Sequence, residues 1–292
     1  MNIIITGSSG FIGSKLSYEL KRIGHNVIGI DKNEGINTSV VKDISDESFI
    51  NFNPKCKIDI IYHLAAQSGG YRSLIDPFID AKWNCLGTVN LISFSKKQKI
   101  KKFIYISSMA VYGNKQNVSE ETLINPISFY GVSKYAGELQ TKVLKIHNNI
   151  DYSIFRLFAT YGAGQDLENN HQGILSIYLA QALKSNTIKI TGKKDRVREL
   201  IHVNDVINAL IFGLNESSNN QVFNVTNSLP ITPEYIINEI SKQLNKKLNI
   251  KEIEGYPGDQ TYITSKKSRL YKYGWTPLIN LQQGIHEFLT NK

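Results

Sequence analysis

The stretch Asn2-Ile3-Ile4-Ile5-Thr6-Gly7-Ser8-Ser9-Gly10-Phe11-Ile12-Gly13 decides how the fold is read. It opens with an apolar, β-branched run of the kind that forms a strand buried on both faces. Glycines at 7, 10 and 13 follow directly, and the helical pattern Ile12–Ile23 begins among them. Glycine permits a tight strand-to-helix turn and close approach of a ligand to the backbone, and a helix N-terminus favours a pyrophosphate. Any strand-to-helix turn also likes glycine, so the Gly-x-x-Gly-x-x-Gly spacing is weighed with what surrounds it.

Outward from this stretch, short apolar runs alternate with amphipathic ones. Strands are predicted at Ile3–Thr6, Val27–Asp31, Ile58–Leu64, Phe103–Ser107 and Tyr152–Leu157, and helices at Ile12–Ile23, Pro77–Gln98 and Gly131–His147. Such alternation predicts an α/β fold with a doubly wound, parallel sheet of Rossmann type. After Leu157 the character changes. A Gly-containing segment over 161–173 precedes a helix at Ile174–Lys184 and a strand at Thr187–Thr191. Asn204–Leu214 reads as a helix, Gln221–Val225 as a strand able to rejoin the first sheet, Pro233–Leu244 as a helix and Pro257–Thr264 as a loop. The expected division is a dinucleotide-binding domain over 1–158 plus about 200–226, and a smaller, discontinuous α/β substrate lobe over about 159–199 plus 227–292.

Asp31 closes the second strand, eighteen positions beyond Gly13. A carboxylate there accepts hydrogen bonds from the adenine-ribose hydroxyls and repels a 2′-phosphate, which favours NAD over NADP. Aspartate after a strand is also an ordinary turn residue, and Lys32 adjoins it. The upstream glycines favour ribose binding.

Tyr130-Gly131-Val132-Ser133-Lys134 places a tyrosine and a lysine four apart at a helix start, on one face. A phenol with a pKa of about 10 is a poor base at neutral pH, and a neighbouring ammonium is expected to lower it. Alone, the spacing is a helix-start tyrosine with a solvated lysine. It is accompanied by the apolar run from Phe103, which ends in the hydroxyls of Ser107 and Ser108. Ligands collect at the carboxyl ends of strands in such sheets, so Ser108 is placed to bond the same substrate oxygen as Tyr130.

Together these motifs resemble the extended short-chain dehydrogenase/reductases, particularly nucleotide-sugar 4-epimerases and dehydratases. The resemblance covers almost the whole chain: ITGSSGFIG at 5–13, Asp43-Ile44, HLAAQS at 63–68, WNCLGT at 83–88, SSMAVYG at 107–113, FYGVSK at 129–134, RELIHVNDV at 198–206 and YGWTP at 273–277. It implies NAD contacts from Gly7, Gly10, Phe11, Ile12, Gly13 and Asp31, and from Asp43, Ile44, Leu64, Ala65 and Ala66, with Asn84 in the same cofactor set as the residue that helps position the nicotinamide-side loop. Tyr130 and Lys134 would reach the cofactor as well. By the same resemblance Tyr130 is the general base, Ser108 its hydroxyl partner and Lys134 their helper. Ser68, Ser108, Arg198 and Asp259 are the implied substrate contacts. Arg198 would hold the sugar-nucleotide diphosphate, a task that suits a guanidinium's charge-assisted, bidentate bonding; taken alone it is a surface arginine beside Arg196 and Glu199. His202 is expected to be structural. A homodimer through a four-helix bundle built from Pro77–Gln98 and Gly131–His147 is also implied, in keeping with Phe78, Trp83 and Leu91, which exceed what one core face needs.

Composition narrows the classes. The net charge of +9 comes from lysine clusters spread along the chain, without an Arg/Lys stripe interleaved with aromatics, so no nucleic-acid partner is expected. No apolar run approaches the ~18 residues of a membrane span, and the N-terminus reads as a strand, not a secretory leader. Cys56 and Cys85 are too few for a disulfide framework or a metal site. A cytoplasmic protein without a bound metal is expected.

Departures from the resembling pattern narrow the chemistry. Sugar 4,6-dehydratases carry an acidic pair directly after the strand-end hydroxyl; here Met109 and Ala110 do no acid–base work. Carbon epimerases of the group place a cysteine near this strand end, and neither cysteine lies there. The expected reaction is 4-epimerisation of a nucleotide sugar, by oxidation at C4 through hydride transfer to NAD and re-reduction of the 4-keto intermediate. A C4 dehydrogenase that releases the 4-keto sugar, and a non-catalytic NAD-binding sensor or scaffold, are the alternatives. Two positions depart from a UDP-galactose-type enzyme. Ala159 stands where many members have asparagine, and residues 254–259 lack the arginine that often precedes Gly-Asp and grips the second phosphate. Gln260 or a lysine is the expected substitute.

Overall fold

The structure is a computed structural model that describes residues 1–169 and 173–290, so residues 170–172 of the predicted 161–173 segment lie outside the described residues. The chain opens with β1 (Asn2–Thr6), α1 (Phe11–Arg22), β2 (Asn26–Asp31), β3 (Val40–Val41) and β4 (Ile60–His63). Helices α2 (Gly70–Ile75), α3 (Pro77–Ala81) and α4 (Gly87–Gln98) follow, with a π-helical turn over Lys82–Leu86 before α4. Next come β5 (Lys102–Ser108), β6 (Lys115–Val118), α5 (Phe129–Asn148) and β7 (Asp151–Leu157). The second half runs β8 (Ala159–Tyr161), α6 (Ile174–Lys184), β9 (Thr187–Thr191), β10 (Arg198–His202), α7 (Val203–Phe212) and β11 (Gln221–Val225). It ends with β12 (Pro230–Ile231), α8 (Pro233–Leu244), β13 (Asn249–Ile253), β14 (Ile263–Ser265) and α9 (Leu281–Thr290).

Among the described residues, seven parallel strands form one sheet in the order β11-β7-β5-β4-β1-β2-β3. Period-two alternation buries both faces. Ile3 and Ile5 pack with Tyr62, Ile104, Leu16 of α1 and Leu210 of α7 on one side. Ile4 packs with Ile61, Phe103, Leu91 and Phe94 of α4, and Leu144 of α5, on the other. Burying each such side chain contributes about 1.5–3 kcal/mol, which is what holds the helices to the sheet. From β1 the chain first winds outward through β2 and β3, then crosses back to β4. The carboxyl ends of β1 and β4 therefore flank a topological switch point, where a crevice opens. A separate core of Leu175, Leu179, Ile188, Ile190, Ile236 and Ile240 unites α6, β9 and α8 beyond that crevice.

The strands at Thr187–Thr191 and Gln221–Val225 and the helices at Ile174–Lys184 and Pro233–Leu244 coincide with their predicted bounds, and β11 pairs with β7 in the main sheet. Other segments differ. The helix predicted over Pro77–Gln98 is interrupted by its π turn, and α2 and α9 were not predicted. The loop predicted over Pro257–Thr264 enters β14, which pairs with β6. These strands are so short that neither shows a readable alternation.

Candidate active site

The glycine turn is fixed by close packing. Gly7 has φ of +78°, and a Cβ there would sit 2.7 Å from the Ala65 backbone nitrogen. A Cβ on Gly13 would collide with the Gly7 carbonyl oxygen, so α1 seats on the end of β1 only because both are glycine. The Asp31 carboxylate accepts the Ser9 N–H at 3.1 Å and the Asn33 N–H at 3.0 Å, tying the turn to the end of β2. Asp43 accepts the Ser45 N–H and hydroxyl, both at 2.8 Å. Lys32 holds its ammonium 3.2 Å from the centre of the Trp83 ring, a cation–π contact. Gly7, Gly10, Phe11, Ile12, Gly13, Asp31, Asp43, Ile44, Leu64, Ala65, Ala66 and Ser68 all line one cavity of about 1320 Å³.

Ser108, Tyr130 and Lys134 line the same cavity. Ser108 ends β5, and its Oγ accepts the Ala110 N–H at 3.2 Å, starting a 3-10 turn over Met109–Tyr112. Ser128 caps α5 by accepting the Gly131 N–H at 3.1 Å, and Ser73 of α2 accepts the Tyr130 N–H at 3.0 Å. Gly131 lets α5 press on the turn after β5: a Cβ there would lie 2.6 Å from the Ala110 carbonyl oxygen. That contact sets Tyr130 beside Ser108.

The expectation of a lowered phenol is corrected here. Burial pushes the Tyr130 hydroxyl up to about 12, opposed by a hydrogen bond with Ser108 and reinforced by the Asp80 carboxylate. Lys134 is not among these causes; its ammonium lies 4.5 Å from the centre of the Tyr105 ring. Burial pulls Lys134 down to about 8, against the charges of Glu138 and Asp80.

Asn84, expected in the cofactor set, is 1% exposed and absent from the cavity lining. Within the π turn it points inward and ties three segments. Its Oδ1 accepts the Gln67 N–H at 2.7 Å, and its Nδ2 donates to the Gln67 carbonyl, Asp80 and Ser133 at 3.0–3.1 Å. It thus braces the loop after β4 against the helix that carries Tyr130. π turns recur at functional sites for this kind of re-aiming. Below it, Thr88 donates its hydroxyl to the Asn84 carbonyl at 2.6 Å, so His63 Nε2 must be the donor to Thr88 at 2.9 Å. His63 Nδ1 then accepts from Thr6 at 2.9 Å, which fixes one neutral tautomer under the cofactor end of the cavity. Burial, helped by Lys134, lowers His63 to about 3.

At the far end lie Arg198, Asp259, Arg196, Tyr178, Tyr256 and Ala159. Arg198 Nη2 donates to Asp259 at 3.3 Å and Nη1 to the Val197 carbonyl at 3.0 Å. Gln260 reaches the cavity but donates its amide to the Gly113 carbonyl at 2.6 Å. His202 is buried, and its Nδ1 accepts the Asn204 N–H at the start of α7, a capping role. Sequence reading gave Arg196 no role in the site, did not name Asp80, and set Trp83 on the dimer face, whereas Trp83 lines the cavity beneath Lys32. The spacing of Arg196 and Arg198 was the one available signal.

A model of the NAD dependent epimerase/dehydratase family matches residues 3–226. The chain belongs to that family. The UDP-glucose 4-epimerase of Mycolicibacterium smegmatis is 30% identical to this family member, over 100% of this chain and 99% of that one. The structure of UDP-glucose 4-epimerase from Thermotoga maritima with UDP-glucose is 26% identical with a TM-score of 0.92, covering 100% of this chain and 99% of the other. UDP-glucuronic acid 4-epimerase from Bacillus cereus, solved with UDP-glucuronic acid and NAD, gives a TM-score of 0.89 at 26% identity, over 100% and 99% of the two chains.

The residues of this NAD-dependent enzyme fit their cofactor. The glycine turn makes a floor of bare backbone at the start of α1, and the Asp31 carboxylate stands at the end of β2, a position that would suit the ribose hydroxyls of a dinucleotide. The 1320 Å³ cavity exceeds the roughly 300–1,000 Å³ of a single small-molecule site, leaving room for a second ligand. Among the described residues no helix is long and apolar enough to cross a membrane, and no three His, Cys, Asp or Glu side chains gather as metal ligands.

Proposed function

We propose that the enzyme is a nucleotide-sugar 4-epimerase, with Ser108, Tyr130 and Lys134 at the reacting carbon and Arg198 on the diphosphate. The reading rests on one observation: a single cavity runs from the glycine turn past these three side chains to the Arg198–Asp259 pair. NAD held at the glycine turn would supply hydride acceptor and donor chemistry at C4. Ser108 holds the C4 oxygen, and the Tyr130 phenol passes a proton to and from it. The Lys134 ammonium lies one turn along α5 in the same cavity. The proton that Tyr130 takes from the C4 hydroxyl as the hydride leaves is the one it returns, as the acid, when the hydride comes back. Removing the proton from C4–OH requires the ammonium and the substrate to offset the burial that raises the Tyr130 phenol.

Met109 and Ala110 line the cavity beside Ser108 and offer neither acid nor base, which argues against loss of water. Both domains of the division given above contribute to this reading: residues 1–158 and 200–226 to the cofactor and, through Ser108 and Tyr130, to the reacting carbon, the remainder to the rest of the sugar nucleotide. The outer faces of α3, α4 and α5 leave Phe78, Val89, Val132, Leu139, Val143 and Ile146 exposed, and we assign them to a homodimer four-helix bundle. The test is incubation with UDP-, GDP-, CDP- and dTDP-sugars, followed by product NMR and NADH absorbance. A C4-inverted sugar without NADH build-up supports the reading. Stoichiometric NADH with a released 4-keto sugar would make it a dehydrogenase.

A further inference from the structure

Arg196 and Arg198 stand two apart on the extended segment that enters β10. Val197 between them is bridged to Tyr262, and its N–H bonds the Thr261 carbonyl. Residues two apart on an extended chain face the same way, so both guanidinia enter the cavity. Both also reach one carboxylate: Arg196 Nη1 meets Asp259 Oδ2 at 2.6 Å, and Arg198 Nη2 meets Asp259 Oδ1 at 3.3 Å. The two arginine side chains are only 11% and 8% exposed. Two cations against one anion leave an uncompensated positive charge in a dry place, where such charge is costly. Burial, with Arg196 second, accordingly pulls Arg198 down to about 10. Arg196 Nε is buried and makes no hydrogen bond of good geometry; the Tyr178 hydroxyl, its nearby polar neighbour, is likewise unsatisfied. An orphaned donor of this kind marks a place where an acceptor is missing.

We propose that Arg196 is a second diphosphate-binding residue of this enzyme. Arg196 and Arg198 straddle the two phosphates of a nucleoside diphosphate, and Asp259 is the strut that sets their spacing. The 254–260 loop supplies no cation, and Gln260 is spent on Gly113, so the second positive charge comes from the strand instead. Arginine suits this because its planar fork offers paired donors to phosphate oxygens. The proposal rests on the nucleotide-sugar reading and adds to it the residue that senses the second phosphate.

The test titrates the NAD-loaded full chain with UDP, GDP, CDP and dTDP and with the matching monophosphates. The wild type, Arg196→Gln and Arg196→Lys are compared, with NAD affinity as the measure of an intact fold. For the diphosphate the wild type prefers, Arg196→Gln should weaken binding about 10- to 100-fold, the range of a lost charge-assisted pair. Its effect on the monophosphate should stay below about threefold, and Arg196→Lys should fall between, keeping charge without the fork. Equal affinity of Arg196→Gln and wild type for the diphosphate overturns the proposal, as does an equal loss for mono- and diphosphate. A wild type that binds NAD but none of the diphosphates overturns the nucleotide-sugar reading as well, so the two failures are told apart.

Discussion

Arg156 on β7 and Glu138 on α5 form a two-bond ion pair, Nε to Oε1 at 2.8 Å and Nη2 to Oε2 at 2.7 Å, with side chains 3% and 0% exposed. Ser107 donates to the same carboxylate at 2.6 Å, and Arg156 Nη1 donates to the Tyr112 hydroxyl at 2.8 Å. The pair sits one turn beyond Lys134 and locks α5 to β5 and β7. Arg156→Met leaves Glu138 buried without its cation and should cost about 3–5 kcal/mol of stability in urea unfolding. Adding Glu138→Gln should recover part of that loss. A single variant as stable as the wild type would show that the pair does not anchor the helix.

Tyr130→Phe should abolish turnover while NAD affinity stays within about twofold, because the change removes one hydroxyl at the reacting end of the cavity and nothing from the glycine turn. Retained activity would remove Tyr130 from its assigned role.

Lys134 carries a stability cost that depends on pH. Its folded pKa, about 8, lies below the unfolded 10.5, so below pH 8 the folded chain must bury an ammonium. That cost fades as pH rises from about 8 to 10.5, where the unfolded chain binds more protons than the folded one. Lys134→Met should therefore raise the melting temperature at pH 7 by a few degrees, at about 2–4 °C per kcal/mol, and by less at pH 10. The same variant should lose activity. A lower melting temperature at pH 7 would show that the amine is well compensated where it lies.

If the exposed face of α5 is a dimer contact, the chain sediments as a dimer at micromolar concentration, and Val143→Glu with Ile146→Glu shifts it to monomer. Both residues are exposed in the single chain, at 46% and 76%. Burying a charge at such a contact is costly unless it is paired. A wild type that sediments as a monomer would contradict the assignment.

Long-range order was legible wherever one residue type did one physical job. Gly7 and Gly13 mark the turn because nothing larger fits between β1 and α1, and the apolar runs mark strands covered on both sides. Tyr130, Lys134 and Ser108 were legible by spacing and by their place at a strand end. Their ionisation was not, because burial and the distant Asp80 outweigh the sequence neighbour that spacing suggests. Asn84 was legible as a residue that positions a loop, but its partners were not: a π turn leaves no trace in a helical pattern, and only the structure shows it bonded to Gln67, Asp80 and Ser133. Arg196 was passed over because its partner, Asp259, lies 63 residues away.

The central claim is that hydride removed at C4 returns to the same sugar. It is tested by giving the enzyme its nucleotide sugar with deuterium at C4, in ordinary water, and reading products by NMR and mass spectrometry. The account predicts a C4-inverted sugar that keeps its deuterium at C4, with no reduced cofactor accumulating. Deuterated NADH accumulating in step with a released 4-keto sugar, or an inverted product with hydrogen at C4, would contradict it.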